Sequence, residues 1–388
     1  MVTSHRSAAR SASRAVALLA AVAASLVLAQ ACTSPAADPQ PQPQATASAK
    51  TDGPAGVPPT PVELHGQLRV EGNRLVDACG RHVQLAGVSH FWHTWEGREH
   101  WNADAVEWLR DDWRVSLIRA PLAAHPGVEG DYLTAPDSSL AQLRRLVEGA
   151  IEHGMYVVVD FHTHHPYPAE AVELLGTIAR DYGHLPNVLY AIWNEPEGQQ
   201  TGTAPLATWR GIKAYAKTVV PAIRAHDPDN VVIVPTPFYD QFPEFAHTHP
   251  LTAGELGAST DNLMYDVHFY AGQHKGTVRD RTRRALTAGV PIIITEVGRV
   301  GVDWGPDNQV DSASFDAWMR FVDSNRISFT KWSLSTKLER SSSLRPGAAA
   351  RGHWTEADLT PEGRFNRGFF RERGERFYAQ APCPAAHD

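Results

Sequence analysis

The chain has 388 residues, 43% apolar and 20% charged, with a formal charge of −7. This composition excludes a disordered or fibrous chain and leaves ample length for a large core. No basic patch invites nucleic acid, and the acidic excess is too mild to name a partner.

The N-terminus reads as a targeting segment. His5, Arg6, Arg10 and Arg14 form a basic stretch, and the apolar run from Ala15 to Leu28 is short for a bilayer span. Ala29-Gln30-Ala31 follows the small-x-small pattern of signal peptidase cleavage, which predicts a signal peptide over residues 1–31. Leu-Ala-Gln-Ala-Cys also resembles a bacterial lipobox, with Gln30 an imperfect fit, and in that reading Cys32 carries lipid. Plain secretion and a retained membrane anchor are the alternatives, and each places the mature domain outside the cytoplasm. Residues 32–61 are then the lipidated cysteine and a disordered, extended spacer: TSPAADPQPQPQATASAKTDGPAGVPPT contains no aromatic and almost no apolar side chain to bury.

From Val62 the pattern becomes regular, and the folded domain is expected over 62–380, with a tail over 381–388. Short alternating segments around Glu71-Gly72-Asn73 predict a hairpin. Eight apolar strands follow: Val83–Val88, Ser116–Arg119, Met155–Asp160, Val188–Trp193, Val231–Pro235, Leu263–His268, Pro291–Glu296 and Ile327–Trp332. Amphipathic stretches such as Ser139–His153, Thr208–Ala225, Val278–Ala288 and Ser312–Ser324 separate them, and Glu362–Tyr378 closes the series. Runs such as YVVVD and PIIITE suit strands buried on both faces. Eight strand–helix units predict an α/β fold, a (β/α)8 TIM barrel with the hairpin covering its floor. An open doubly wound sheet is the alternative, and no Gly-rich phosphate turn follows the first strand to favour it. Cys79 and Cys383 sit near the two ends of this region, and an oxidising compartment favours a disulfide between them.

The strand ends carry the chemistry. Arg119, Asp160 with His162, Asn194-Glu195, His268 with Tyr270, Glu296 and Trp332 fall at the ends of six strands. A strand leaving a barrel enters polar loop anyway, which explains one or two such residues but not charged and aromatic groups converging from six. Glu195 and Glu296 end the fourth and seventh strands, across the mouth from each other. Two facing carboxylates are what glycoside hydrolysis requires, one to donate a proton and one to attack or stabilise the anomeric carbon. Eleven Trp, ten Tyr and thirteen Phe agree with this, since flat aromatic faces suit sugar rings.

The stretches AVEWLRDDWRVSLIRA, YVVVDFH, IWNEPEG, DPDNVVIV, MYDVHFYAGQH, PIIITEVG and KWSLSTKLERSSSLRPGA, in that order, resemble glycoside hydrolase family 5 and within it the bacterial endo-β-1,4-glucanases of cellulase A type. The resemblance covers most of Val62 to Phe370. It implies a retaining endo-β-1,4-glucanase with Glu195 as general acid/base and Glu296 as nucleophile. Arg119 and Tyr270 orient Glu296, Asn194 binds the sugar 2-hydroxyl, and His268 sits beside Glu195. His162 and Trp332 line the glucose site on the non-reducing side of the cut, Lys337 and Glu339 hold hydroxyls one sugar further out, and Trp95 stacks a more distant ring. It implies no cofactor or metal. The expected partner is a β-glucan chain, with no nucleic acid, a membrane reached only through lipid, and a monomeric enzyme.

Three departures bear on substrate preference rather than on the carboxylates. In GVSHFWHTW the family's usual histidine position falls on Phe91 when Trp95 is aligned, leaving His90 or His93 for that role. Val297 replaces a usual tryptophan, and Ser333 a usual asparagine. Mannan, mixed-linkage glucan or an envelope polysaccharide, or transfer to a sugar acceptor, are the alternatives within the class. Two rival classes are a metal hydrolase using His162, His164 and His165 of HTHHP, and a non-catalytic sugar-binding lipoprotein. The first lacks the further ligands at later strands; the second needs no pair of glutamates. His164 and His165 are read as solvated loop.

Overall fold

The computed structural model describes residues 58–302 and 308–384. The signal segment, Cys32 and the spacer up to residue 57 lie outside the described residues.

A two-stranded hairpin, β1 (Arg69–Glu71) and β2 (Arg74–Val76), precedes eight strands: β3 (Ala86–His90), β4 (Leu117–Ala123), β5 (Tyr156–His162), β6 (Val188–Ala191), β7 (Val232–Val234), β8 (Leu263–Tyr270), β9 (Ile292–Gly298) and β10 (Phe329–Leu334). These eight pair in parallel, and β10 meets β3 to close the barrel. Each overlaps a strand expected from sequence. Helices Pro136–Glu152, Ala204–Arg224, Gly276–Thr287, Ser312–Ser324 and Pro361–Tyr378 fall where amphipathic periodicity placed them, and Pro168–Tyr182 adds a further helix to the outer ring. Outward strand residues such as Ile118, Val157, Val159 and Tyr190 pack with helix residues such as Leu143, Leu146, Leu174 and Ile212 in one continuous core.

Inward residues divide by height. Low in the barrel, Leu117, Tyr156, Val158, Leu189, Ile233, Met264 and Ile293 form a second apolar cluster. It continues into Leu64, Leu68 and Leu75 of the N-terminal segment and Phe377 and Tyr378 of the last helix. The hairpin therefore plugs the floor. Val70 N–H donates to Asn262 Oδ1 at 2.8 Å, Asn73 Nδ2 to the Leu286 carbonyl at 2.9 Å, and the Tyr156 hydroxyl to the Gly66 carbonyl at 2.6 Å. Higher on the same inward faces, period-two alternation replaces apolar residues by Arg119, Asp160, Asp266 and His268. The strands are dry and apolar below, charged above.

The floor is also where the two ends of the folded region are joined. Cys79 and Cys383 are disulfide-bonded with Cα atoms 5.7 Å apart and 304 positions between them in sequence. Arg81 ties the same corner together, donating to Asp77 Oδ2 at 2.7 Å and to the Ala381 carbonyl at 2.6 Å. Closing so long a loop restricts the unfolded chain. Cys79→Ser should therefore lower unfolding free energy on the order of 2–5 kcal/mol. In thermal denaturation with and without reductant, the wild type should lose stability on reduction and the variant should not.

Candidate active site

Arg119 is the centre of the upper interior. It is completely buried, and Nη1 lies 2.8 Å from Glu296 Oε2 while Nη2 lies 2.8 Å from Asp160 Oδ2 and also donates to Asn194 Oδ1. These partners come from β9, β5 and the segment after β6. Anionic neighbours outweigh desolvation and raise the guanidinium pKa still further. Asp160 Oδ2 also receives Nδ1–H of His162 at 2.7 Å, which fixes that ring; burial and Arg119 hold its pKa far below the ordinary imidazole range, so it is neutral. Glu296 has a second donor, the Tyr270 hydroxyl, 2.5 Å from Oε1. Burial and the Glu296 charge push the Tyr270 phenol well up, so it keeps its proton.

Glu195 has a different environment. Its Oε1 lies 2.7 Å from His268 Nδ1, and its Oε2 lies 3.7 Å from His164 Nδ1. Burial alone would push the Glu195 carboxyl up, but the His268 hydrogen bond and charge reverse this and bring it to about 2. Burial likewise opposes charge on His268, yet Asp266 and Asp240 override it and raise the imidazole well above its usual range. The proton of this pair therefore rests on His268, and the pair titrates as a unit. Ligand atoms of Glu195, His268 and Glu296 all lie within 4.8 Å of one another. Three such groups could hold a cation in principle, but the Arg119 guanidinium on Glu296 already supplies positive charge there.

A β-bulge makes this convergence fit. Along the β8–β9 ladder Asp266 pairs with Ile293, but His268 pairs with Glu296, one residue further on than regular pairing gives. The extra residue lets Thr295 and Glu296, successive in sequence, both reach interior groups: Thr295 Oγ1 sits 3.0 Å from His268 Nε2, and Glu296 meets Arg119 and Tyr270.

The site opens into a cleft of about 580 Å³ lined by Trp95, His162, Asn194, Glu195, Tyr270, Glu296, Trp332, Lys337 and Glu339. Trp332 stacks on the His162 ring, with centroids 5.8 Å apart and planes at 10°. Lys337 Nζ lies 3.0 Å from Glu339 Oε2 and 4.8 Å from the Phe91 ring centre. Sequence reasoning passed over Trp92, which stacks on Trp95 with centroids 4.5 Å apart and edges onto His162 at 5.0 Å. It also passed over Phe238 and Tyr239 after β7, which line the other side. Phe238, Tyr239 and Asp240 have φ of 57°, 52° and 58°, a left-handed stretch no sequence pattern announces.

Two expectations need correction. His90 is not in the cleft: it is fully buried, packs edge-on to Trp101, and neither ring nitrogen has a hydrogen-bond partner among the described residues. His93 does not replace it, because its ring is spent on the Ala123 N–H, the Ser139 hydroxyl and the Gly130 carbonyl. Strand alternation gives the reason: His90 shares the outward face of β3 with Val88, and the cleft lining begins past the strand's end with Phe91 and Trp92. His164, read as solvated loop, instead lines the cleft beside Glu195.

The cellulase (glycosyl hydrolase family 5) model matches residues 76–338. An endoglucanase of Clostridium saccharobutylicum is 36% identical over 306 residues, covering 77% of this chain and 64% of that protein. Endoglucanase 5 of Pectobacterium carotovorum subsp. carotovorum is 37% identical over 320 residues, covering 79% of this chain and 58% of its own length. The chain thus spans less than two thirds of these curated relatives. Among solved structures, one from Cytophaga hutchinsonii superposes with a TM-score of 0.75 at 34% identity, covering 82% of this chain and 99% of that one. The catalytic domain of Thermobifida fusca endoglucanase Cel5A gives 0.72 at 28% identity, over 81% and 100%.

Burial drives the pKa of His90 down to about 3. The unfolded chain binds that proton from about pH 6.5 downward. Native stability through this group is therefore intact at neutral pH and falls between about pH 6.5 and the folded value, at up to about 1.4 kcal/mol per pH unit. His90→Phe removes this loss and two unsatisfied ring atoms. Denaturant unfolding across pH should show a variant at least as stable as wild type at pH 7 and increasingly more stable toward pH 4, with neutral-pH activity retained.

Proposed function

The chain belongs to glycosyl hydrolase family 5, and from that premise we propose that it is a retaining endo-β-1,4-glucanase acting outside the cytoplasm. The observation that carries the reading is the pair Glu195 and Glu296, with oxygen atoms within 4.8 Å of each other and with unlike neighbours. Inverting enzymes keep their carboxyls about 6.5–9.5 Å apart to seat a water between them, whereas retaining enzymes hold them at about 5–5.5 Å. Glu296, bracketed by Arg119 and Tyr270, is the nucleophile. It attacks the anomeric carbon and forms a covalent glycosyl-enzyme as the glycosidic bond breaks. Glu195, paired with a titratable imidazole, gives its proton to the leaving oxygen and then takes one from the water that releases the sugar.

The aromatic cleft supports a β-glucan chain as substrate. Trp332 offers a face beside the carboxylates, and Trp92 and Trp95 extend an apolar wall away from them, suited to successive sugar rings. Asn194, its Oδ1 taken by Arg119, lines the cleft and can offer its amide N–H₂ to a sugar hydroxyl near the reacting carbon. Lys337 and Glu339 offer charged partners for hydroxyls further out. A variant of the Thermobifida fusca catalytic domain has been solved in complex with cellotetraose, which agrees with a glucan in this cleft.

Both Glu195→Gln and Glu296→Gln should lower hydrolysis of a soluble β-1,4-glucan by at least about a hundredfold. They should separate on 2,4-dinitrophenyl β-cellobioside, whose leaving group needs little protonation. Glu195→Gln should still form the glycosyl-enzyme, seen by mass spectrometry, and Glu296→Gln should not. Nuclear magnetic resonance of the first product from a β-glucan should show the β anomer; an initial α anomer would rule out retention.

The location of the enzyme rests on Cys32 and the Pro-rich spacer. A lipid on Cys32 with a stiff tether would hold the domain at the cell surface. Cys32→Ala should then release active enzyme into the medium. Wild-type protein already soluble and beginning at an unmodified Cys32 would overturn the anchor.

A further inference from the structure

Behind His268 lies a buried hydrogen-bond chain that the double-displacement mechanism does not use. Asp266, on β8, is almost wholly enclosed, and its Oδ1 accepts the backbone N–H groups of Val267 and Thr295, each at 2.9 Å. Its Oδ2 accepts the Thr295 hydroxyl and lies 3.4 Å from His268 Nε2. Every hydrogen-bond partner of this carboxylate among the described residues is thus a donor. A hydroxyl has one proton, and Thr295 gives it to Asp266. The Thr295 oxygen can then only accept from His268 Nε2, at 3.0 Å.

We propose that Asp266 and Thr295 are positioning residues that form a one-way relay, fixing His268 Nε2 as a permanent donor so that Nδ1 alone exchanges a proton with Glu195. The proposal rests on the reading of Glu195 as the acid/base. In the first step the proton leaves Nδ1 for the Glu195 carboxylate and passes to the glycosidic oxygen as its bond to the anomeric carbon breaks. His268 is left neutral, still carrying Nε2–H. In the second step the proton of the attacking water returns by Glu195 to Nδ1, and the balance is restored. The opposite tautomer could not do this, because a neutral ring with its hydrogen on Nδ1 can donate to Glu195 but cannot take its proton.

The relay also sets where the pair loses its proton. The titratable groups facing His268 are Glu195 after β6, Asp160 on β5, Asp240 after β7, Asp266 on its own strand, Glu296 on β9 and His274 after β8. Asp240 lies 3.7 Å from Nδ1, outside hydrogen-bond reach, and burial pushes its carboxyl well above the ordinary range. Asp160 is engaged by Arg119 and His162. Besides Glu195 itself, Asp266 is the carboxylate among the described residues that reaches the imidazole through bonded atoms. Its negative charge holds the shared proton and extends the acid form toward higher pH.

The test is the pH profile of kcat/KM on cellotetraose, whose basic limb reports loss of the essential acid proton from the free enzyme. Asp266→Asn keeps an oxygen for the two backbone N–H groups but turns the chain around: its amide donates to Thr295, whose hydroxyl then donates to Nε2. The basic limb should move to lower pH by about one unit or more. Thr295→Val removes the bridge but leaves Asp266 beside Nε2, so its limb should move in the same direction by less. With 2,4-dinitrophenyl β-cellobioside, which needs no acid, glycosyl-enzyme formation in both variants should keep the wild-type pH profile. A uniform fall in rate on both substrates with the limb unmoved would make the two residues merely structural and overturn the relay. A second measurement uses the unaltered enzyme. In 15N resonance of imidazole-labelled protein, with the His268 signals assigned by their loss in His268→Gln, Nε2 should stay protonated as pH rises while Nδ1 titrates; the reverse would also overturn it. Glu195→Gln separates this from the underlying reading. If it loses the activated substrate as badly as cellotetraose, the acid/base assignment falls; if it keeps the activated substrate and Asp266→Asn leaves the limb in place, the relay alone falls.

Discussion

A guanidinium sealed inside a barrel constrains everything above the apolar floor. Arg119 has no access to water, and a charge in that position costs several kcal/mol unless it is paired and hydrogen-bonded. Its partners are drawn from three other strands or strand ends, so the charge fixes Asp160, Asn194 and Glu296 in one cluster. The consequences run outward. Asp160, held by Arg119, orients His162; the His162 ring supports Trp332; and Trp332 forms one wall of the cleft. Burial still pushes the Asp160 carboxyl up to about 6 against the pull of Arg119. Asp160 thus acts through the geometry it imposes, holding Arg119 Nη2 and the His162 ring at once.

The bulge in β9 is the second constraint, and it follows from the period of a strand. With strict alternation, Thr295 and Glu296 would face opposite sides, and one of the two would point at the surrounding helices. The bulge gives both an inward aim, so a single strand serves the Arg119 cluster with one residue and the His268 cluster with the next. Two separately charged networks can then stand a few ångströms apart on the same rim without sharing a ligand.

The barrel was legible because its signals are local. Apolar runs such as YVVVD and PIIITE, separated by helical periodicity, identify strands and their order before any contact is known, and the polar residues ending them mark the rim. Glu195, Glu296, Arg119 and Tyr270 could be read on that basis, helped by the ordered motifs. What could not be read depends on register. His90 is one residue from a lining position, and one residue in a strand is a change of face. Trp92 and His164 lie in loops whose course only the packed structure determines, and the left-handed turn at Phe238–Asp240 has no glycine to betray it. Asp266 resembled any polar residue near a strand end. Its meaning lies in a hydroxyl on the neighbouring strand, brought opposite His268 by a bulge that no periodicity shows.

The two glutamates are chemically alike, so the difference in their proposed roles must come from what stands beside them. Glu296 faces a guanidinium and a phenol. The guanidinium does not release protons in proteins, and burial beside a carboxylate keeps the phenol protonated. That environment offers charge and hydrogen bonds but no proton traffic, which suits a group that must leave and regain a bond to carbon while remaining deprotonated. Glu195 faces the His268 imidazole, a side-chain cation that can give up and recover a proton. Exchanging the two neighbours would exchange the capacities: a glutamate beside Arg119 has no labile proton to draw on, and one beside His268 shares its oxygen with an exchanging proton. The division of labour is thus set by the kind of cation each strand end presents, a guanidinium from β4 and an imidazole from β8, on opposite sides of the same barrel mouth.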